Sequence, residues 1–315
     1  MTSLNRSEAA RFLADRNNFT ILTHRRPDGD TVGSAAVLCL GLRQLGKTAH
    51  VLENPELTEK YAPFHDGLTK QQTAPGDTVI AVDVASANML PDTFRALEAA
   101  IDLRIDHHGT ASAFTPLQLV DPDAAACGEI VFDVLQELGA VLDKPMANAL
   151  YTAISTDTGC FRYANTTAHT LRTASACKDA GADTFELNQV LFETNTLARL
   201  RLQGWLVENA LFLADGKIVI CALPRSKELE LGLTEDDMEN ISGFPRTIAG
   251  VRIAAMLRQE SDGRIKLSVR AVPGWDASAI CAKFGGGGHK GAAGASMNTT
   301  LEEAVEAVKK AMPEI

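Results

Sequence analysis

Apolar and polar positions alternate along the first 110 residues in a repeating order. Residues 7–17 carry a helical pattern, and FTILT (19–23) is a short apolar run of β type. The run stops at His24, and the polar stretch HRRPDGD follows before a helical segment from Thr31 to Gly46. AHVLE (49–53), TVIAV (78–82) and IDLRI (101–105) are further strand-like runs, the last two ending at Asp83 and Asp106. Apolar strands that alternate with helices predict a mainly parallel sheet covered on both faces. Ligands of such sheets bind beyond the carboxyl ends of the strands. The acids and imidazoles in question all stand at those ends.

Helical patterns continue over 126–156 and 167–213, and a second α/β unit begins near 205. KIVICAL, VRIAAMLRQ and RIKLSVRAV read as strands, with a turn at Gly263-Arg264 between the last two. A short helix (276–283), a glycine-rich loop (285–294) and a final helix (301–312) complete it. The expected organisation is a catalytic domain over 1–187, a helical linker over 188–204 and a second domain over 205–315.

Composition narrows the classes. The 315 residues include 30 Lys and Arg against 40 Asp and Glu, a net charge of −10, and 45% are hydrophobic. That apolar share supports packed cores. Residues 1–200 hold 16 basic and 25 acidic side chains, so the acidity lies in the first unit. A protein that coats long duplexes shows a basic face, so this balance argues against that role but leaves a small phosphorylated ligand open. No apolar run suggests a membrane span, and MTSLNRSEAARF lacks a signal-peptide stretch. Six cysteines without framework spacing read as reduced thiols, and the expected location is cytoplasmic.

Four segments concentrate Asp and His: His24 with Asp28 and Asp30, Asp83, Asp106-His107-His108, and Asp157 within STDTGCFRYANTT. One Asp that ends a strand is usually a turn or capping residue, and one HH pair is usually a surface accident. Four such features in one α/β order point to a common site. Hard oxygen donors mixed with imidazole suit Mn²⁺, Mg²⁺, Zn²⁺ or Fe²⁺, and the lack of cysteine disfavours a thiolate zinc site. The count fits two ions sharing a carboxylate better than one ion, and two such ions suit an in-line phosphoryl displacement. Pro27 and Gly29 predict a tight loop that turns Asp28 and Asp30 towards neighbouring sites. In GGGGHKGAAG (285–294), glycines such as Gly287 and Gly288 would let backbone N–H groups approach a phosphate, with His289 as a further donor. GLRQLGKT (41–48) matches the G-x4-G-K-T phosphate-loop pattern, but its first glycine falls inside a helix and its second ends that helix before a strand. A genuine loop of that kind has the inverse context.

HRRPDGDTVGS, VIAVDVA, RIDHHGT and STDTGCFRY resemble the four motifs of the DHH phosphoesterases, and GGGGHKGAAG resembles the hallmark loop of their DHHA1 domain. The resemblance spans almost the whole chain and is nearest to the NrnA-like enzymes. It implies an N-terminal parallel-sheet α/β domain and a smaller C-terminal α/β domain facing it across a cleft. It implies that His24 and Asp28 bind one Mn²⁺, that Asp30, His107 and Asp157 bind the other, and that Asp83 bridges both. Mg²⁺ or Co²⁺ are the substitute ions. His108 would face the scissile phosphate, Asp106 would orient a ligand histidine, and Arg270 would grip a terminal phosphate of the substrate. Arg252 and Lys290 are weaker candidates for that grip. Arg162 and Tyr163 stand between substrate contact and local packing.

The activity implied is hydroxide attack on short oligoribonucleotides, giving 5′-mononucleotides, together with dephosphorylation of 3′-phosphoadenosine 5′-phosphate (pAp). Hydrolysis of cyclic or linear dinucleotides and manganese-type pyrophosphatase activity are the enzymatic alternatives, and an inactive nucleotide sensor is the alternative of another class. Short single-stranded RNA, pAp or dinucleotides are the expected partners, with no long duplex and no membrane, and a homodimer is left open.

Overall fold

The structure is a computed structural model that describes residues 2–109 and 114–313. Thr110, the last residue of RIDHHGT, lies outside them. Two compact units divide between Thr194 and Asn195.

The first unit holds seven strands: β1 (Thr2–Ser3), β2 (Asn18–Leu22), β3 (Thr48–Leu52), β4 (Thr69–Lys70), β5 (Thr78–Val82), β6 (Ile101–Asp106) and β7 (Leu117–Val120). Every pairing is parallel, in the order β1-β7-β6-β5-β2-β3-β4. The alternation of side chains along each strand divides the apolar residues between two faces. Phe19, Ile21, Val51, Ile80, Val82, Leu103 and Ile105 join one core with the helices. Leu22, Leu52, Val79, Ala81 and Ile101 join another with Leu90 and Phe94. Strands 1, 4 and 7 were not expected from the sequence: two are only two residues long, and LQLV has too few positions to set a period.

The strand order reverses direction between β2 and β5. The chain runs outwards through β3 and β4, then returns to the other side of β2. A crevice opens at the carboxyl ends of such a switch point. His24 follows β2 and Asp83 follows β5, so both stand at it.

The helices are α1 (Arg6–Ala14), α2 (Gly29–Gln44), α3 (Cys127–Glu137), α4 (Lys144–Asp157) and α5 (Ala168–Asp179). Apolar and small residues lie all round α2, and thirteen of its sixteen residues are buried, which is the composition of a central helix. Gly41 lies within α2 against Leu135, so the phosphate-loop match has the wrong context. The expected loop at Asp28 and Asp30 is instead the start of this helix. Asp28 is its N-cap, accepting from the N–H groups of Asp30 and Thr31, and Asp30 lies in the first turn. A carboxylate that satisfies free amides outweighs the loop tendency of Pro-Asp-Gly-Asp.

Close approach between α2 and α4 brings the two helices' polar ends together. A Cβ at Gly33 would stand 2.4 Å from the Ala149 carbonyl, and one at Gly29 would stand 2.5 Å from the Thr156 side chain. Only glycine at those positions lets Asp28 and Asp30 of α2 stand beside Asp157 at the end of α4.

The second unit holds a six-stranded mixed sheet in the order β12-β13-β11-β10-β9-β8. Its strands are β8 (Leu211–Leu213), β9 (Ile218–Leu223), β10 (Ile253–Gln259), β11 (Ile265–Ala271), β12 (Gly287–Gly288) and β13 (Ala292–Met297). The helix Leu301–Ala311 covers one face through Ala304 and Val308, and the helix Leu197–Glu208 covers the other through Leu202 and Leu206. The stretch 188–204, expected as a linker, therefore resolves into a turn of π-helix over Gln189–Glu193 and a helix built into the second unit. Residues 211–213, expected to be helical, form β8, because pairing with Ile218–Ile220 overrides so short a local preference. Among the described residues no helix is long and apolar enough to cross a membrane.

Gly33→Val is expected to lower the stability of the protein to denaturant by about 1–3 kcal/mol, as overpacked cores do. Gly204→Ala, in helix Leu197–Glu208 with open space around it, is expected to raise stability by about 0.4–1 kcal/mol. Equal effects of the two changes in urea melts would contradict the packing described.

Candidate metal centre

The carboxyl ends of β2, β5 and β6 and the facing ends of α2 and α4 deliver the Asp and His side chains to one place. Three overlapping groups have ligand atoms within 4.8 Å of one another among the described residues: His24 with Asp28 and Asp83, Asp30 with His107 and Asp157, and Asp83 with His107 and His108.

Each histidine is oriented by its Nδ1. His24 Nδ1–H donates to the Arg25 carbonyl (2.7 Å) and His107 Nδ1–H to the Ala124 carbonyl (3.3 Å). A carbonyl only accepts, so Nδ1 carries a proton and each Nε2 is the ring atom that faces the carboxylates. Asp83 stands between them, its Oδ2 3.5 Å from His24 Nε2 and its Oδ1 3.6 Å from His107 Nε2. Asp28 Oδ1 lies 3.5 Å from His24 Nε2, and Asp157 Oδ2 lies 3.3 Å from His107 Nε2. These separations exceed hydrogen-bond lengths, but they suit donors about 2.1 Å from a shared ion. Asp83 Oδ1 is buried without a hydrogen-bond partner, the mark of an oxygen placed for a cation. Asp83 also takes a left-handed backbone conformation (φ +58°), which directs its side chain into the cluster.

Asp30 is fully buried, and its surroundings were not legible beforehand. Its Oδ2 accepts from Cys127 N–H (2.7 Å), and its Oδ1 accepts from Gly128 N–H (3.0 Å) and the Ser34 hydroxyl (2.9 Å). The amino end of α3 thus fixes this carboxylate through amides that cost no side chain. A helix beginning at CGEI was the available signal.

Asp106 orients a histidine through its Oδ1. Its Oδ1 accepts from His107 N–H, His108 N–H and His108 Nδ1–H, the last at 2.8 Å. It therefore orients His108, not the side chain of His107. Asp106 is wholly buried, whereas a third of the His108 side chain is exposed, so the histidine and not the acid can meet a substrate.

Crowded charge governs the protonation of the cluster. Burial and the charge of Asp83 push the Asp30 carboxyl up to about 7, against the pull of His107. Burial and the charges of Asp30, Asp28 and Asp83 hold Asp157 well above the usual carboxylate range. Burial opposes a charge on His24, yet Asp28 and Asp83 raise its pKa well above the imidazole value. Burial likewise opposes a charge on Asp28, but His24 and the amides of Thr31 and Asp30 hold it at about 2. Divalent cations would relieve this repulsion, and the donor set of four carboxylates and neutral imidazoles fits two such ions.

The other expected residues stand elsewhere. In the left-handed run Gly159-Cys160-Phe161 that follows Asp157, a Cβ at Gly159 would meet the Tyr163 ring at 2.3 Å. Arg162 Nε donates to the Gly159 carbonyl at 2.5 Å. Both side chains thus take part in local packing, while Tyr163 stays 47% exposed. In the second unit, Arg270 is half-buried on β11 opposite Ala292. The expected glycine loop is a hairpin: Gly287 and Gly288 form β12 against Gly294 and Ala293, and His289 N–H donates to the Ala292 carbonyl (2.8 Å). Cβ atoms at Gly286 and Gly288 would stand 2.1 Å and 2.7 Å from backbone oxygens, so strand approach requires those two glycines. Gly287 has open space beside it, and His289 is exposed.

The arrangement is a parallel sheet with acids and imidazoles gathered at its switch point, followed by a second α/β unit. The DHH family N-terminal domain matches residues 18–154, and the DHHA1 domain matches residues 215–314. The bifunctional oligoribonuclease and PAP phosphatase NrnA of Thermus thermophilus is 33% identical over 93% of this chain and 89% of its own length. The structure of an exopolyphosphatase-related protein from Bacteroides fragilis, 25% identical, superposes with a TM-score of 0.83 over 97% of this chain and 94% of that one. RecJ of Thermus thermophilus, solved in complex with Mn²⁺, shares the fold at 16% identity, with a TM-score of 0.56 over 98% of this chain and 55% of RecJ. The chain belongs to the DHH family, with the associated DHHA1 domain.

The metal-free protein is expected to lose thermal stability as pH rises from about 5 to 8. A carboxyl raised from 3.8 to about 7 binds more protons in the folded state across that interval, so stability falls with rising pH. His24 and His107, both raised, add stability that is complete below their unfolded values and lost as pH climbs through the folded ones. Divalent metal at a hundred times its Kd at pH 8 should restore about 2.7 kcal/mol there, and the same concentration should restore less at pH 5, since the ligands bind deprotonated. Calorimetry with and without metal checks this, and a metal-free midpoint that climbs between those pH values would refute it.

Proposed function

We propose that the protein is a cytoplasmic, Mn²⁺-dependent phosphoesterase that degrades very short RNAs to 5′-mononucleotides and removes phosphate from pAp. The observation that carries this reading is the placement of Asp83, whose two oxygens face two differently oriented histidines. It stands within a chain that matches a bifunctional oligoribonuclease and PAP phosphatase over nearly its full length. The Mn²⁺ bound by RecJ supports that choice of ion.

His24, Asp28 and Asp83 would hold one ion, and Asp30, His107, Asp157 and the other oxygen of Asp83 would hold the second. The ions, when bound, supply Lewis-acid charge to the phosphate and an activated water. The protein's own residues do the rest. The amides of α3 prevent Asp30 from turning away, and the carbonyls of Arg25 and Ala124 keep His24 and His107 in the tautomer that can bind metal. His108, its Nδ1 tied to Asp106, presents Nε2 as a donor to the phosphate, where negative charge grows in the transition state. Arg270, the exposed Gly287, Gly288 and His289 are the proposed grip on a second phosphate of the substrate, with Arg162 and Tyr163 at its margin. An acidic chain with a local grip of this kind suits short substrates, because no basic track for a long backbone is needed.

A Mn²⁺ assay on a 5′-labelled diribonucleotide, a pentamer, a long single strand, pAp, a cyclic dinucleotide and pyrophosphate tests the reading. The dinucleotide, pentamer and pAp are expected to be cut, and Asp83→Ala should abolish all turnover. A wild-type rate equal to that of Asp83→Ala would leave a nucleotide sensor in its place. Pyrophosphate as the best substrate would overturn the substrate class.

Arg270→Ala is expected to raise KM for a 5′-phosphorylated dinucleotide about tenfold or more, the loss of one charge-assisted contact, with kcat little changed. An unchanged KM would remove Arg270 from the grip.

A further inference from the structure

Among the described residues Arg104 is the largest fully buried side chain, 1% exposed on β6. A buried guanidinium is costly unless its charge and N–H groups are met. Its placement shows what meets them. Strand alternation puts Arg104 and Asp106 on the same face of β6. Arg104 Nη1 donates to the Ala85 carbonyl (3.0 Å), in the turn just after Asp83, and Nη2 donates to Gln118 Oε1 (2.5 Å). Gln118 is the register partner of Arg104 on β7, and its own amide donates to the Ser3 hydroxyl on β1. The Phe114 ring lies 5.2 Å from the guanidinium carbon.

Held in this way, Nη1 stands 4.0 Å from Asp106 Oδ2. That oxygen has no hydrogen-bond partner, whereas Oδ1 accepts from His107 N–H, His108 N–H and His108 Nδ1–H. The two oxygens of Asp106 are thus divided: one faces the histidines, and the other faces a fixed positive charge. Without that charge the carboxylate would be held from the Oδ1 side alone, and a partial rotation or displacement would lengthen the contact with His108 Nδ1.

We propose that Arg104 is a positioning residue for the reaction, acting through Asp106 to hold His108 with its Nε2 directed at the substrate phosphate. This rests on the role of His108 given above. Neither the resemblance nor the four motifs assigns a role to this position, and its neighbours Gln118 and Ala85 belong to the same device.

The test is a double-mutant cycle on the Mn²⁺-loaded enzyme with Arg104→Met, Asp106→Asn and the two combined, read together with nitrogen-15 histidine spectra of the metal-free protein. The His108 Nδ1–H signal is assigned by its loss in His108→Gln. Each single change is expected to lower kcat about 10–100-fold, the usual cost of losing an orienting partner, with KM within about twofold. The pair should be no worse than the worse single change, because both break one chain of contacts. Arg104→Lys, which keeps the charge, should retain more than half of kcat. The His108 signal should shift in Arg104→Met and stay near its wild-type position in Arg104→Lys.

Losses that multiply in the double variant, or an Arg104→Met enzyme with wild-type kcat and an unmoved His108 signal, would overturn the proposal. If Arg104→Met does not fold, Gln118→Leu decides. A lower kcat at an unchanged melting temperature, with a shifted His108 signal, supports it, and no change in either overturns it. A wild-type protein that cuts none of the substrates would refute the proposed function, while the spectra would still show whether Arg104 positions His108.

Discussion

Mutual repulsion of carboxylates at the carboxyl ends of β2, β5 and β6 is the constraint around which the first unit is organised. Asp28, Asp30, Asp83 and Asp157 meet within a few ångströms, and three of the four are driven above their normal pKa. Such crowding would push flexible side chains apart. It persists because three of the four are held in place: Asp28 and Asp30 by helix amides, and Asp83 by a left-handed backbone beneath it. The cluster has the donors and the spacing that cations would need, fixed before any cation arrives.

That preparation explains features that are otherwise unrelated. Gly29 and Gly33 are small because α2 must lie against α4 for Asp157 to join the cluster. The amino end of α3 carries no side-chain cap of its own and points its amides at Asp30 instead. The helix therefore gains its missing acceptor from a residue 97 positions away. Fold stability and the geometry of the centre thus share the same contacts, and a change at the α2–α4 or α2–α3 seam would reach both.

The sequence carried the order of the first unit because strands buried on both faces are continuous apolar runs, and four of its seven strands have five or six such positions. His24, Asp83 and Asp106 were visible for the same reason, since each stands where an apolar strand ends. What remained hidden depends on partners distant in the chain. The role of Asp106 turned on where its oxygens point, and the contacts of Asp30 with α3 span nearly a hundred residues. The hairpin at 285–294 was hidden differently. Glycine runs carry no side-chain period, so a strand made of Gly287-Gly288 cannot be told from a loop until β13 pairs with it.

The hairpin also changes what its glycines signify. Four consecutive glycines suggest a backbone bared for a phosphate, yet Gly286 and Gly288 are required by strand approach, where a Cβ would strike a carbonyl oxygen. The freedom left for a ligand narrows to Gly287, which has open space, and to His289 at the turn. A side chain at Gly286 would deform the sheet edge, whereas one at Gly287 would leave the strands in place. The motif therefore alternates glycines that strand approach requires with a position left open, as the two-residue period of a strand allows.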